Sequence, residues 1–232
     1  MATARVTLGV CYNFLISMPN PAVPAPTEPL LDVSDLHLWR GERHLLRNVS
    51  FGLRAGELLQ IVGPNGVGKT SLLRCVAGLL PVESGEIRWC NQSLASNRDT
   101  FHQQLAYLAH VNALKGDLTA LENLHYAVGL RRTIDVQEMH DMLQRLQISA
   151  CADLTARSMS AGQKRRVAIA RILLTRAKPW VLDEPITNLD SAGIQLFEQC
   201  MAEHLDGGGL IVTAAHQLLL QGRQNVRTLE LH

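Results

Sequence analysis

The stretch Gly63-Pro64-Asn65-Gly66-Val67-Gly68-Lys69-Thr70-Ser71 fits the phosphate-binding loop pattern: glycine, four residues, then Gly-Lys-Thr. Glycines keep Cβ atoms away from a bound phosphate and allow positive φ. The loop N–H groups then form a nest that opens on a helix N-terminus. In that chemistry Lys69 reaches the β- and γ-phosphates, and the Thr70 hydroxyl is a ligand for Mg²⁺. The flanks agree. The apolar run from Gly56 to Val62 ends at the loop as a buried strand would. After it, Leu72, Leu73, Val76, Leu79 and Leu80 fall at helical spacing up to Pro81.

Strands are expected over Leu30–Trp39, Asn48–Arg54, Glu57–Val62 and Glu86–Trp89, with a polar loop over Asn91–Asn97 and a further apolar stretch, Leu105–Ala109. Trp39, on the first strand, is read either as a platform for adenine or as a core tryptophan. Two helices follow. One opens on the capping box Thr119–Glu122; the other runs over Asp135–Leu146 with Val136, Met139, Leu143 and Leu146 on one face.

A second capping box, Ser160 to Gln163, starts a helix that runs to about Arg176. Its Ser-Ala-Gly opening leaves first-turn N–H groups uncovered, which makes a second anion site. The two anion sites can serve one phosphate chain or two. Then Trp180-Val181-Leu182-Asp183-Glu184-Pro185 reads as a buried strand ending in paired carboxylates. Asp183 is suited to Mg²⁺, and Glu184 to orienting and deprotonating a water. A helix beyond Asp190 carries Ile194, Phe197, Met201 and Leu205 on one face and ends at Gly207–Gly209. The strand Leu210–Ala214 should lie beside the Asp183 strand, which brings His216 near the γ-phosphate. Val226–Leu231 adds an edge strand.

Composition sets the bounds. The 232 residues carry a net charge of +1 and 4% aromatics, which argues against a polyanion-binding or base-stacking surface, and so against nucleic acid. Cys11, Cys75, Cys90, Cys151 and Cys200 are scattered without a C-x-x-C pair, so buried reduced thiols are expected. No run reaches the ~18 apolar residues of a membrane span. Residues 1–29, with a Pro-rich stretch, read as a disordered extension or as a start placed too early, with Met18 the true start.

The order of these parts resembles the ATP-binding cassette (ABC) ATPases over residues 30–232. The loop at 63–71 matches the family's Walker A. Ser160-Ala161-Gly162-Gln163 is similar to its signature sequence, with Ala161 where glycine is usual, and Val181–Glu184 is similar to Walker B with its catalytic glutamate. Asn188-Leu189-Asp190 lies in the D-loop position, and His216 in that of the switch histidine. The resemblance implies an α/β P-loop NTPase: a RecA-like core with an antiparallel β subdomain (30–97 and 178–232) and an inserted helical signature subdomain (98–177). It implies ATP and Mg²⁺ as cofactors and a head-to-tail homodimer. Ser160, Gly162, Gln163 and Asp190 would then face the partner's nucleotide, and Lys69, Glu184 and His216 would carry catalysis. Integral-membrane partners would hold the chain as a peripheral subunit on the cytoplasmic face of the inner membrane. One position departs: the family's Q-loop glutamine falls at His110-Val111-Asn112, with Val111 in its place. Leu118–Leu124, Ser160–Arg171, Trp180–Pro185 and His216-Gln217 give a narrower resemblance, to the ATP-binding subunits of haem exporters for c-type cytochrome biogenesis. Exporters of drugs or lipids are the alternative, as is a nucleotide-binding coupler that hydrolyses weakly.

Overall fold

The computed structural model describes residues 28–232. Most of the extension expected over 1–29, and Cys11 with it, lies outside the described residues. Three runs carry almost no polar side chain and are buried nearly throughout: β3 (Leu58–Val62), β7 (Pro179–Asp183) and β8 (Leu210–Ala214). Burial on both faces is the signature of a parallel sheet covered by helices. They form the centre of a five-stranded parallel sheet, β6-β7-β8-β3-β9, in which β6 is Ala106–Leu108 and β9 is Val226–Glu230. β7 and β8 are neighbours, and Asp183 pairs with Ala214. β9 is the edge strand beside β3.

A second, antiparallel sheet has the order β2-β1-β4-β5. Here β1 is Leu31–Arg40, β2 Arg43–Leu53, β4 Ser84–Trp89 and β5 Gln92–Ser93. β2 begins at Arg43, five residues before the strand expected at Asn48. The segment Arg43–Arg47 pairs with the end of β1. Only its Leu46 is buried, and Arg43 and Arg47 are exposed, so hydropathy did not mark it as a strand.

Helix α1 (Lys69–Val76) packs on β7 and β8. It ends earlier than the pattern up to Leu80 suggested. Gly78, at φ 67°, turns the chain out of the helix, and Leu79 is exposed. The polar stretch from Asn91 runs into α2 (Leu94–Gln104), which the sequence did not reveal. This helix buries only Leu94 and Phe101, against the same core as β1, β4 and α1.

α3 (Ala120–Gly129), α4 (Val136–Arg145) and α5 (Ala161–Thr175) pack on one another, and α5 also lies against β6. The capping boxes expected at Thr119/Glu122 and Ser160/Gln163 are both formed. α6 (Ser191–Asp206) is capped by Asp190 and packs on β8 and α5. Cys75, Cys151 and Cys200 are buried free thiols, as expected. Cys90 differs: it sits exposed in the turn between β4 and β5.

Candidate functional site: a phosphate loop beside paired carboxylates

The loop leaves the C-terminal end of β3 and enters α1 through Gly68, at φ 118°. No side chain caps that helix, so its first N–H groups face outward. Two glycines are required, Gly63 by space and φ, Gly68 chiefly by its φ of 118°. A Cβ on Gly63 (φ 142°) would stand 2.4 Å from the Leu231 carbonyl oxygen, and one on Gly68 would stand 3.0 Å from Leu46. Val67 is buried and plugs the loop onto the core, while Pro64, Asn65 and Gly66 are exposed. Lys69 Nζ donates to the carbonyls of Gly63 (2.8 Å) and Pro64 (3.0 Å), which folds the cation back along the loop rim. Ser71 follows in the first turn.

Thr70 Oγ1 donates to Asp183 Oδ1 at 3.2 Å. The two hard oxygens converge where β7 ends beside α1. Among the described residues no group of three or more His, Cys, Asp or Glu side chains can hold a metal. A hydroxyl, one carboxylate, phosphate oxygens and waters make a donor set that suits Mg²⁺.

Glu184 is the next residue, in the left-handed region at φ 48°. A non-glycine residue there is strained unless its surroundings hold it. Its N–H donates to the Ala214 carbonyl at 2.8 Å, and its carbonyl accepts from Arg165 Nη2 at 2.5 Å. With both backbone groups tied, the Glu184 carboxylate, 13% exposed, stands 3.4 Å from His216 Nε2. The adjacent-strand geometry expected for Asp183, Glu184 and His216 is therefore present.

Sequence reasoning missed two side chains behind this site. Gln60 lies in the middle of β3 and is completely buried. Its Nε2 donates to the carbonyls of Gln217 (2.7 Å) and Ala215 (3.3 Å), and its Oε1 accepts from the Leu219 N–H (3.0 Å). It thus staples the loop that carries His216. A glutamine inside an apolar strand was the available signal, because a buried amide needs partners. The other is Arg165, on α5, which burial holds down to about 10. It reaches the carbonyls of Asp183, Glu184 and Pro185.

Ser160, Gly162 and Gln163 line a different surface, an open hollow of about 560 Å³ shared with Gln147, Arg166, Asn188 and Asp190. No phosphate-loop residue lines it. Gln163 Oε1 accepts from the Ser160 N–H and Ser160 Oγ from the Gln163 N–H, so both side chains serve the cap. A Cβ on Gly162 would stand 2.9 Å from the Asn188 carbonyl oxygen. Asp190 caps α6 through the Gly193 N–H and pairs with Arg166 at 2.6 Å. The Arg166 hydrogen bond, and then the Gly193 N–H, hold its carboxyl below the usual range.

Trp39 is 46% exposed, so it is not a core tryptophan. It stacks on His44 across the hairpin, with ring centroids 4.2 Å apart and planes 5° apart. The neighbouring Leu45 lies beside the phosphate loop, where a Cβ on Gly68 would stand 3.1 Å from it. Burial, then the nearby Arg47 and His37, lowers the pKa of His44.

The fold and this site define an ABC-type ATPase, and the ABC transporter family model matches residues 46–187. The chain belongs to that family. It is 38% identical to the "Cytochrome c biogenesis ATP-binding export protein CcmA" of Vibrio cholerae, over 87% of this chain and 98% of the relative. Proteins of that name from Escherichia coli K12 and Idiomarina loihiensis are 41% and 43% identical, over 87% and 85% of this chain and 96% and 90% of theirs. Among solved structures, the ATP-binding subunit of an ABC transporter superposes with a TM-score of 0.77 at 25% identity, covering 88% of this chain and 86% of its own. A putative ABC transporter ATP-binding protein from Pyrococcus furiosus matches at 0.76 and 22%, over 87% and 97%, which supports the fold. Among the described residues no helix is long and apolar enough to cross a membrane.

Proposed function

We propose that this ATPase drives an exporter complex of c-type cytochrome biogenesis that handles haem. It would act as a peripheral subunit on the cytoplasmic face of the inner membrane, bound to integral-membrane partners. The observation that carries this reading is the name shared by relatives 38–43% identical over most of the chain.

In this reading Trp39 stacks on adenine with His44 behind it. The Gly63–Ser71 loop cradles the phosphates, and Lys69 swings from the loop carbonyls to the β- and γ-phosphates. Thr70 and Asp183 would hold Mg²⁺, which would offset phosphate charge. Glu184 takes the proton of the attacking water, while His216 positions that water and the γ-phosphate. The hollow at Ser160, Gly162, Gln163 and Asp190 lacks a phosphate loop. It therefore receives the nucleotide of a second copy, and two chains associate head to tail. The helical unit expected over 98–177 would carry the signature between the nucleotide-core segments 30–97 and 178–232, but the end of α2 and β6 pack with the core, so that unit begins after β6. Val111 favours a second reading, a coupler with slow hydrolysis, because valine offers neither Mg²⁺ nor water a ligand.

The test is to replace the chromosomal gene with an E184Q version and stain for covalently haem-bound c-type cytochromes. Their loss, with apocytochrome still made and exported, is the expected result. Normal cytochromes in a strain that contains the variant and needs the gene for them would sink the requirement for hydrolysis. Normal cytochromes in a deletion strain would reject the assignment to this pathway.

A further inference from the structure

Arg165 is 1% exposed and, among the described residues, hydrogen-bonds to no carboxylate. A guanidinium has five N–H donors in a fixed fork. Here all five are used. Nε donates to the Pro185 carbonyl (2.9 Å). Nη2 donates to the carbonyls of Asp183 (3.0 Å) and Glu184 (2.5 Å). Nη1 donates to the Ala109 carbonyl (2.9 Å) and to Asn112 Oδ1 (2.9 Å). One side chain thus grips three consecutive carbonyls around the left-handed Glu184 and, with its remaining arm, the segment 109–112. It stands on α5, the helix capped by Ser160 and carrying Gly162 in its first turn. Val111 points away from all of this, at 73% exposure. The side-chain link of that segment is Asn112, beside the backbone link at the Ala109 carbonyl.

We propose that Arg165 is the positioning residue for the Glu184 carboxylate, and that its bond to Asn112 makes the placement of that carboxylate depend on the segment 109–112. The link replaces what a glutamine at position 111 would supply through its own side chain. Movement of α5 or of segment 109–112 reaches the Glu184 turn through a rigid planar group, with no need for a side chain at 111 to enter the site. This rests on the reading of Glu184 as the proton acceptor. Lysine, with one ammonium on a flexible stem, cannot span five acceptors on two sides.

The test uses the full chain in a steady-state ATPase assay with four variants: R165K, N112A, N112D and R165K/N112A. R165K should lower kcat at least about tenfold and leave KM for ATP within about twofold, because no phosphate-loop residue is touched. N112A should lower kcat about threefold or more at unchanged KM, and N112D, which keeps an acceptor oxygen, should restore it. The double variant should be no slower than R165K, since both changes break the same link. If R165K does not fold, the N112A and N112D pair decides. Wild-type turnover in N112A, a rise in KM that accounts for the loss, or multiplicative effects in the double variant would overturn the proposal. E184Q assayed alongside separates the two levels. An inactive E184Q with a fully active N112A removes only the link, whereas an active E184Q removes the role of Glu184 on which it stands.

Discussion

Replacing Gln60 with leucine tests whether the position of His216 limits the rate. The amide is fully buried and makes three hydrogen bonds, to the backbone of residues 215, 217 and 219. Leucine fills much of the same space and can make none of them. At a net ~1 kcal/mol per bond the loop loses about 3 kcal/mol of its hold on β3. Part of that is regained as the freed groups move toward water, and that movement displaces His216. A bias of 1.4 to 3 kcal/mol against the working position corresponds to a fall in kcat of roughly ten- to a hundredfold. KM for ATP should stay within about twofold, because the phosphate loop keeps its own contacts. The assay is phosphate release over an ATP series, with a thermal melt to establish that the variant is folded at the assay temperature. Q60L combined with H216A should be no slower than H216A alone, as both act through one side chain. A folded Q60L with wild-type kcat would refute the reasoning, as would a double variant much slower than H216A.

G63A should abolish ATP binding in equilibrium titration while leaving the chain folded, since its Cβ would stand 2.4 Å from the Leu231 carbonyl oxygen at a φ that suits glycine; retained binding would show that the loop can shift. His204 makes stability depend on pH. Its ring stacks on Trp180 at 3.7 Å, and Nε2 lies 2.9 Å from the Lys178 carbonyl. Burial lowers its pKa from 6.5 to about 4. The folded state thus binds this proton less readily than the unfolded chain, so the contribution is complete above pH ~6.5 and is lost as pH falls toward ~4. That fall is worth roughly 3 kcal/mol, reduced to about 2 kcal/mol because water reaches part of the ring. Urea titrations at pH 7.5 and 4.5 should show H204Q losing about 2 kcal/mol less than the wild type between the two conditions; equal losses would assign the acid sensitivity elsewhere.

The parts of the site that follow local rules were legible from the chain. Gly63–Ser71 needs a strand before it and a helix after it, and both patterns are periodic. The capping boxes at Thr119 and Ser160 need only four residues each, and both formed. Asp183, Glu184 and His216 could be brought together because two apolar runs that follow one another around a helix usually become neighbours in a parallel sheet. The missed features depend on contacts distant in sequence. Lys164, Arg165 and Arg166 are three cations in a row, and nothing local tells which one is swallowed by the core. Helix α2 buries only two side chains, so hydropathy gave it no stripe. The tip of the β1–β2 hairpin is polar because solvent covers it, yet it holds the Trp39–His44 stack.

The strand order has a consequence for synthesis. β3, which leads into the nucleotide loop, is flanked by β8 on one side and β9 on the other. Both neighbours come from the last part of the chain, about 150 residues later, and such distant pairings make folding slow and leave partners waiting. On the ribosome, Leu58, Leu59 and Ile61 emerge long before anything exists to cover both edges of their strand. A nascent chain stalled before residue 210 therefore presents an unpaired apolar edge and no formed nucleotide pocket. That is the species most exposed to aggregation. Nucleotide binding then marks translation that has passed β9, which a series of arrested nascent chains of increasing length would reveal as an abrupt onset of ATP retention.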